Sequence, residues 1–354
     1  MRAVRVVAAT AVCVAALSGC TGGQHSPASV PAAVSLPVPG GMPGYYVVVA
    51  GREVVVRASG DGHVTGSVAV PVAAGNAMSP VSGEPFASAD GRHFVIVVSR
   101  GGDLPGVSDD TLFLLTVSRD GRPGTLRRVN FDNRGVPVIG AALSPDGRML
   151  ALSLVQEFPP GPLYGSVEVI NVASGVTRTW TGRGAPGYWP GVPAWADGTV
   201  VVPWWHDIGH GMIPAQITGV RQLDLAAPGG SLAAARLVAF PAPVTGLASA
   251  LIGPGGGDVI TSSCRAGHHA ATVRIAEVSA TDGRLVRVLR AQTARFGNDA
   301  DAQDAVFSAC QVLSVAGDGD HVLIQAFAFG RIDSGVFAPL PGTTPRVLPV
   351  AAAW

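Results

Sequence analysis

Three short stretches hold most of the side chains that could do chemistry. The first, Trp204-Trp205-His206-Asp207-Ile208-Gly209-His210, places two imidazoles and a carboxylate within seven residues. Histidine nitrogen and aspartate oxygen both suit zinc, but no third and fourth ligand stands at a recognisable spacing. The stretch reads as a wide loop whose aromatic rings either pack on neighbouring structure or bind a ligand or partner. The second, Cys264-Arg265-Ala266-Gly267-His268-His269, offers a thiol and two imidazoles; zinc there competes with pairing of Cys264 to Cys310. The third, Asn298-Asp299-Ala300-Asp301-Ala302-Gln303-Asp304, spaces carboxylates as a calcium loop begins. It lacks the glycine at the sixth position and the glutamate at the twelfth, so a hand-type site is not supported. Asp299 to Asp304 stays open between a weak calcium site and a solvated loop.

Two further stretches are aromatic or proline-rich, Glu157-Phe158-Pro159-Pro160-Gly161-Pro162-Leu163-Tyr164 and Ala185-Pro186-Gly187-Tyr188-Trp189-Pro190. Tyr188, Trp189, Trp195, Trp204 and Trp205 fall within 18 residues and make up five of the ten Tyr and Trp in the chain. Tyr and Trp anchor many interfaces. These five and His206 are therefore the candidate binding residues, with packing between adjacent structural units as the competing role.

Composition removes several chemistries. All 24 basic side chains of the 354-residue chain are arginine. There is thus no P-loop lysine, no Schiff-base lysine and no lysine general base. A formal net charge of zero argues against a nucleic-acid partner, which needs a basic face. Nucleophile elbows, His-Glu-x-x-His and Cys-x-x-Cys are all missing. The glutamates are Glu53, Glu84, Glu157, Glu168 and Glu277; Glu168 and Glu277 sit in alternating runs and are expected to face solvent. No catalytic residue, metal site or cofactor is assigned.

The elements that must position these residues are strands. Runs such as Tyr45 to Val49, Phe94 to Val98, Leu112 to Val117, Val167 to Ile170 and Val322 to Gln325 are β-branched, short and broken by glycine. Ser231 to Phe240 suits a helix or a strand. Seven Asp-Gly pairs begin at Asp61, Asp90, Asp120, Asp146, Asp197, Asp282 and Asp318, and both residues tolerate positive φ in tight turns. One set, at Asp61, Asp120, Ser174-Gly175, Pro228-Gly229-Gly230, Asp282 and Pro341-Gly342, recurs every 53 to 59 residues. A repeat of about 55 residues with four antiparallel strands is a propeller blade. The expectation is all-β: six four-stranded blades over roughly 45–71, 84–131, 138–182, 191–240, 244–291 and 303–350, with seven as the nearest alternative. The short first blade would be completed by Leu348 to Trp354.

The first 44 residues read as address and tether. Arg2 and Arg5 precede the apolar run Val6 to Leu17, whose length as helix is about 18 Å, too short for the hydrocarbon core. It ends in Leu17-Ser18-Gly19-Cys20, which resembles the lipobox of bacterial lipoproteins; an ordinary cleaved signal peptide is the competing reading. Residues 1–19 are thus expected as a signal peptide, Cys20 as the lipidated residue, 20–44 as a flexible tether and 45–354 as the folded domain. Cys13 would leave with the signal. Cys264 and Cys310 then remain for one exported disulfide, or as two unpaired buried thiols.

Ala142-Leu143-Ser144-Pro145-Asp146-Gly147-Arg148-Met149-Leu150-Ala151 resembles the repeat of WD40-like, TolB-type bacterial propellers. Phe86 to Arg92 and Pro193 to Gly198 are weaker copies. The chain is also similar to actinobacterial lipoproteins with WD40-like repeats, and its Arg-only, Ala/Val/Gly-rich composition fits a GC-rich genome. The resemblance implies a ring and a scaffold role and transfers no catalytic residue. The leading expectation is an exported, membrane-anchored, non-catalytic propeller on the outer face of the cytoplasmic membrane, binding an envelope or extracellular protein. The rival is an exported hydrolase or lactonase-type metalloenzyme with acidic residues at the central channel.

Overall fold

The computed structural model describes residues 42–71, 81–88, 90–132, 135–156, 164–196, 198–207, 215–240, 244–252, 258–302, 310–316, 320–333, 335–340 and 352–354, apart from 102–107. The expected signal peptide, Cys20 and nearly all of the expected tether lie outside the described residues. So do 157–163, 208–214 and 303–309.

The chain is an all-β propeller. Among the described residues, the strands form four four-stranded antiparallel sheets and one eleven-stranded sheet, within which two four-strand antiparallel meanders are bridged by Tyr188–Pro190 and Gly229–Ser231. In chain order, the first meander joins Ala352–Ala353, Tyr45–Ala50, Glu53–Ala58 and Val64–Ala69, in that spatial order. The second is Val81–Ala87, His93–Gly101, Ser108–Thr116 and Arg127–Arg128; the third is Val138–Leu143, Met149–Gln156, Tyr164–Asn171 and Thr177–Thr181. The fourth is Ala194–Ala196, Thr199–Asp207, Ala215–Gln222 and Arg236–Ala239. The fifth is Ser249–Ile252, Asp258–Gly267, Ala270–Ser279 and Leu285–Arg295, and the sixth is Gln311–Val315, His321–Gln325, Phe329–Asp333 and Val336–Pro339. Ser231 to Phe240 resolves as a turn leading into the strand Arg236–Ala239.

Contacts between meanders close a ring. Val81–Ala87 lies against both Tyr45–Ala50 and Ala352–Ala353, Val138–Leu143 against Val81–Ala87, and Ala194–Ala196 against Val138–Leu143. Val244–Leu247 extends the fourth sheet by pairing with Ala215–Gln222, and it touches Asp258–Gly267 of the fifth. Gln311–Val315 then packs on Ser249–Ile252 and on Ala352–Ala353, completing the circuit. The pairing expected of the C-terminal segment occurs at Val47↔Ala353 and Val48↔Ala352. Trp354, 1% exposed, packs with Tyr46, Leu313, Leu323 and Phe329 between the sixth and first meanders.

Turn chemistry explains the punctuation. In Ser144-Pro145-Asp146-Gly147-Arg148 the Ser144 hydroxyl donates to the Asp146 carboxylate at 2.6 Å, and the Arg148 amide donates to the same oxygen at 3.1 Å. Gly147 takes φ +70°, where a side chain is strained. Asp90 and Asp282 likewise accept from the amide two residues on.

Three expectations fail. Trp204 to Asp207 do not open a wide loop: they continue the strand Thr199–Asp207 and pair with Ala215 to Gly219. The turn before the last strand of the sixth meander is at Gly335, φ +85°, not at Pro341-Gly342, which lies outside the described residues. The hairpin closes there because Asp333 pairs with Val336. Glu277 does not face solvent: it is 9% exposed and opposite Arg287, whose guanidinium donates to it. Glu168 is half-buried.

Candidate functional site

Strand parity sorts the loops. In each meander the first–second and third–fourth turns share one end of the ring, while second–third loops and links between meanders share the other. The Asp-Gly turns among the described residues, at Asp61, Asp90, Asp120, Asp146 and Asp282, occupy the first end. The described residues of each stretch singled out for chemistry lie at the second. Tyr164 opens the third strand of the third meander, Trp204 to Asp207 end the second strand of the fourth, and Cys264 to His269 end the second strand of the fifth and turn into its third. Ala185 to Pro190 lead from the third to the fourth, and Asn298 to Ala302 follow the last strand of the fifth. The described parts of these five stretches, Tyr164, Trp204 to Asp207, Cys264 to His269, Ala185 to Pro190 and Asn298 to Ala302, thus lie at one end.

The aromatic set is organised by Tyr188–Pro190, a three-residue strand wedged between the third and fourth meanders. Tyr188 pairs in parallel with Tyr164, and Tyr188, Trp189 and Pro190 oppose His206, Trp205 and Trp204. Alternation along the strand puts Trp204 and His206 on one side and Trp205 on the other. Tyr188 stacks on His206 at 4.1 Å between centroids and 12° between planes, and on Trp204 at 5.8 Å and 20°. The Gln216 amide nitrogen lies 3.2 Å from His206 Nδ1. Gly187 comes close to the other edge of this imidazole, where a Cβ would stand 3.9 Å from Nε2.

Burial divides the six candidates. Trp204 and Trp205 are 2% and 3% exposed and belong to the packing around this wedge. Gly182 makes room for the Trp204 ring, since a Cβ there would stand 2.7 Å from it. Trp195 is half-buried and donates its indole N–H to the Ala142 carbonyl at 2.9 Å, tying the two meanders together. Tyr188, Trp189 and His206 keep partly exposed edges at the loop face.

Elsewhere on this face, Asp299 joins two of the sequence clusters. It accepts from the His269 amide at 2.6 Å and lies 3.1 Å from His268 Nδ1. Those two contacts, the amide first, hold the Asp299 carboxyl below its ordinary range. Asn298 caps the short helical turn that follows, accepting from the Asp301 amide at 2.8 Å. Cys264 is bonded to Cys310 across Cα atoms 6.1 Å apart, so its sulfur is not a metal ligand. Among the described residues, no group of three or more His, Cys, Asp and Glu could hold a metal ion, and no helix is long and apolar enough to cross a membrane.

Two features escaped sequence reading. Gly182-Arg183-Gly184-Ala185-Pro186-Gly187 has Gly-x-Gly-x-x-Gly spacing directly after the strand Thr177–Thr181. It leads into the strand Tyr188–Pro190, so there is no helix N-terminus to receive a pyrophosphate. Glu84, on the innermost strand of the second meander, is pushed up to about 8 by burial and then by the charge of Asp110. Asp110 is 5% exposed and accepts from the Val138 amide at 2.6 Å.

No protein-family profile matches the chain, and no curated protein does. Among solved structures it is similar to a Bacteroides uniformis protein assigned as a 6-phosphogluconolactonase, with 10% identity and TM-score 0.41 over 88% of this chain and 99% of that one. It is also similar to Porphyromonas gingivalis dipeptidyl peptidase 4, with 11% identity and TM-score 0.39, over 84% of this chain and only 51% of that one. A third likeness is to a GH43_1 enzyme from Xanthomonas citri, with 14% identity and TM-score 0.35 over 60% and 77% of the two chains.

Proposed function

We propose that this chain is an exported, lipid-anchored, six-bladed propeller that binds an envelope or extracellular protein through its loop face, without catalysis. The carrying observation is that the described residues of five stretches rich in aromatic, His and Asp side chains lie at one end, with Tyr188, Trp189 and His206 partly exposed among them. Partly exposed aromatic rings on a buried, rigid wedge present contact area with little entropy left to lose. The address at 1–19, Cys20 and the tether 20–44 support the anchor, since two acyl chains hold where one is marginal. The test is capture from an envelope fraction with the purified domain. A Tyr188→Ala/Trp189→Ala variant should lose a partner that an Asp146→Asn variant on the opposite face retains. Equal capture by both ends the proposal. Separately, Cys20→Ser should release the protein into the medium; continued membrane retention contradicts lipidation.

A second reading, a hydrolase working at the channel, draws support from Glu84 and Asp110 beside the innermost strands. A carboxyl held protonated near neutrality is a usable general acid. Hydrolysis of a lactone or ester panel that disappears in Glu84→Gln would favour this reading over the first. An inactive native protein free of bound metal would remove it.

A further inference from the structure

We propose that the outer edge of the strand Leu285–Arg295 is a docking site for an extended segment of a partner protein with carboxylates at its ends. This edge is on the rim of the ring, apart from the loop face. Outermost strands carry unpaired N–H and C=O groups, and proteins usually shorten or cover them. The other five meanders do so. Val64–Ala69 is overlaid by Pro123 and by a bond of 2.7 Å from the Thr65 hydroxyl to the Gly121 carbonyl. Thr177–Thr181 is paired by Gly229–Ser231. Arg127–Arg128, Arg236–Ala239 and Val336–Pro339 have two, four and four residues.

Leu285–Arg295 differs in length and covering. It has 11 residues, and among the described residues it pairs only with Ala270–Ser279. Leu285, Val286 and Val288 are 45%, 51% and 45% exposed, three large apolar side chains nearly in succession. Between Gly283 and Phe296 the chain has Arg284, Arg287, Arg290 and Arg295 and no acid. Arg287 is committed to Glu277 and Asp320, and Arg290 covers the Phe337 ring at 3.6 Å. Arg284 and Arg295 remain at the two ends, Arg284 with only a 4.0 Å approach to Asp282.

Charge selects the occupant. A second copy on this edge would set arginines of one strand against arginines of the other, which disfavours pairing. An added strand that is apolar in the middle and acidic at its ends meets the exposed valines and both arginines, while its backbone completes the ladder.

The probe is a synthetic peptide of alternating Val and Thr flanked at each end by two Asp. Binding is read by anisotropy, and edge pairing by hydrogen exchange over residues 285–295. The Asp-flanked peptide should bind and slow exchange of the outward amides. A Lys-flanked copy should bind at least about fivefold more weakly. The Asp peptide N-methylated at alternate backbone positions should not bind. Arg284→Glu with Arg295→Glu should reverse the charge preference without disturbing the fold. The proposal is overturned by equal binding of all three peptides, by no binding, or by edge amides already protected in the free monomer. It is also overturned by a concentration-dependent dimer that dissociates in the double variant, which would give the edge to a second copy.

Discussion

Val47 and Ala353 face each other across an antiparallel pair, so the first described strand of the chain is completed by the last. Beside them the Trp354 ring is buried against the sixth meander. Trp354→Ala should cost about 3–5 kcal/mol. Urea unfolding would show it as a lower midpoint, and an unchanged midpoint would mean that the closing strand adds no stability.

The Cys264–Cys310 bond spans a sequence separation of 46. Chain-entropy arithmetic gives it about 4 kcal/mol. Reduction, or Cys264→Ser with Cys310→Ser, should lower stability by up to that amount. A reduced protein as resistant to urea as the oxidised one would contradict the assignment.

Glu84 has a folded value of about 8 against an ordinary 4.5. As pH rises between these values the unfolded chain releases its proton first, so this group lowers stability progressively and its penalty is complete above 8. Below 4.5 both states hold the proton and the effect vanishes. Glu84→Gln should flatten the decline between about pH 5 and about pH 9. If native and variant proteins lose stability in parallel over that range, the Glu84 carboxyl is not its source.

Trp204 and Tyr188 touch, yet their substitutions should separate. Trp204→Ala removes a ring that is 2% exposed and should cost about 3–5 kcal/mol. Tyr188→Ala loses chiefly its stacking on Trp204 and His206, about 1 kcal/mol. Calorimetry of both variants checks the order, and equal losses would place Tyr188 in the core.

At Gly147 a Cβ would meet nothing within 4 Å, and φ is +70°. Gly147→Ala therefore isolates backbone strain from crowding. The expected loss is about 1–2 kcal/mol, read from the urea midpoint. A neutral substitution would show that the Ser144–Asp146 turn relaxes freely.

Sequence reading recovered what local chemistry writes down. Asp146-Gly147 marks a turn because only a few residue types tolerate its φ, and Tyr45–Ala50 announces a strand by its valines. The closing strand was legible because three strands were too few for the first unit. Glu277 was misread because alternation separates two faces without naming the exposed one, which the neighbouring meander decides. Tyr188–Pro190 left no trace as a strand: it is three residues long, includes proline and is defined by partners at Tyr164 and Trp204 to His206. Glu84 shares its face with Phe86, which packs with residues of the third meander while Glu84 is half-buried beside it, and strand alternation does not reveal that neighbour. Pro341-Gly342 looked like a closing turn because regular spacing was given more weight than the turn residues at Asp333-Ser334-Gly335.

Gly44 accepts a bond of 2.9 Å from the Ser59 amide, and Pro43 lies beside Gly91. Both neighbours belong to the end with the Asp-Gly turns, so the polypeptide joins the ring from that side. This gives the molecule a polarity. If residues upstream of Gly44 hold it to a bilayer, the serine- and aspartate-rich turns face the lipid headgroups. Tyr188, Trp189 and His206 then point outward, across the thickness of the ring from the anchor, where a partner can reach them unobstructed by the membrane.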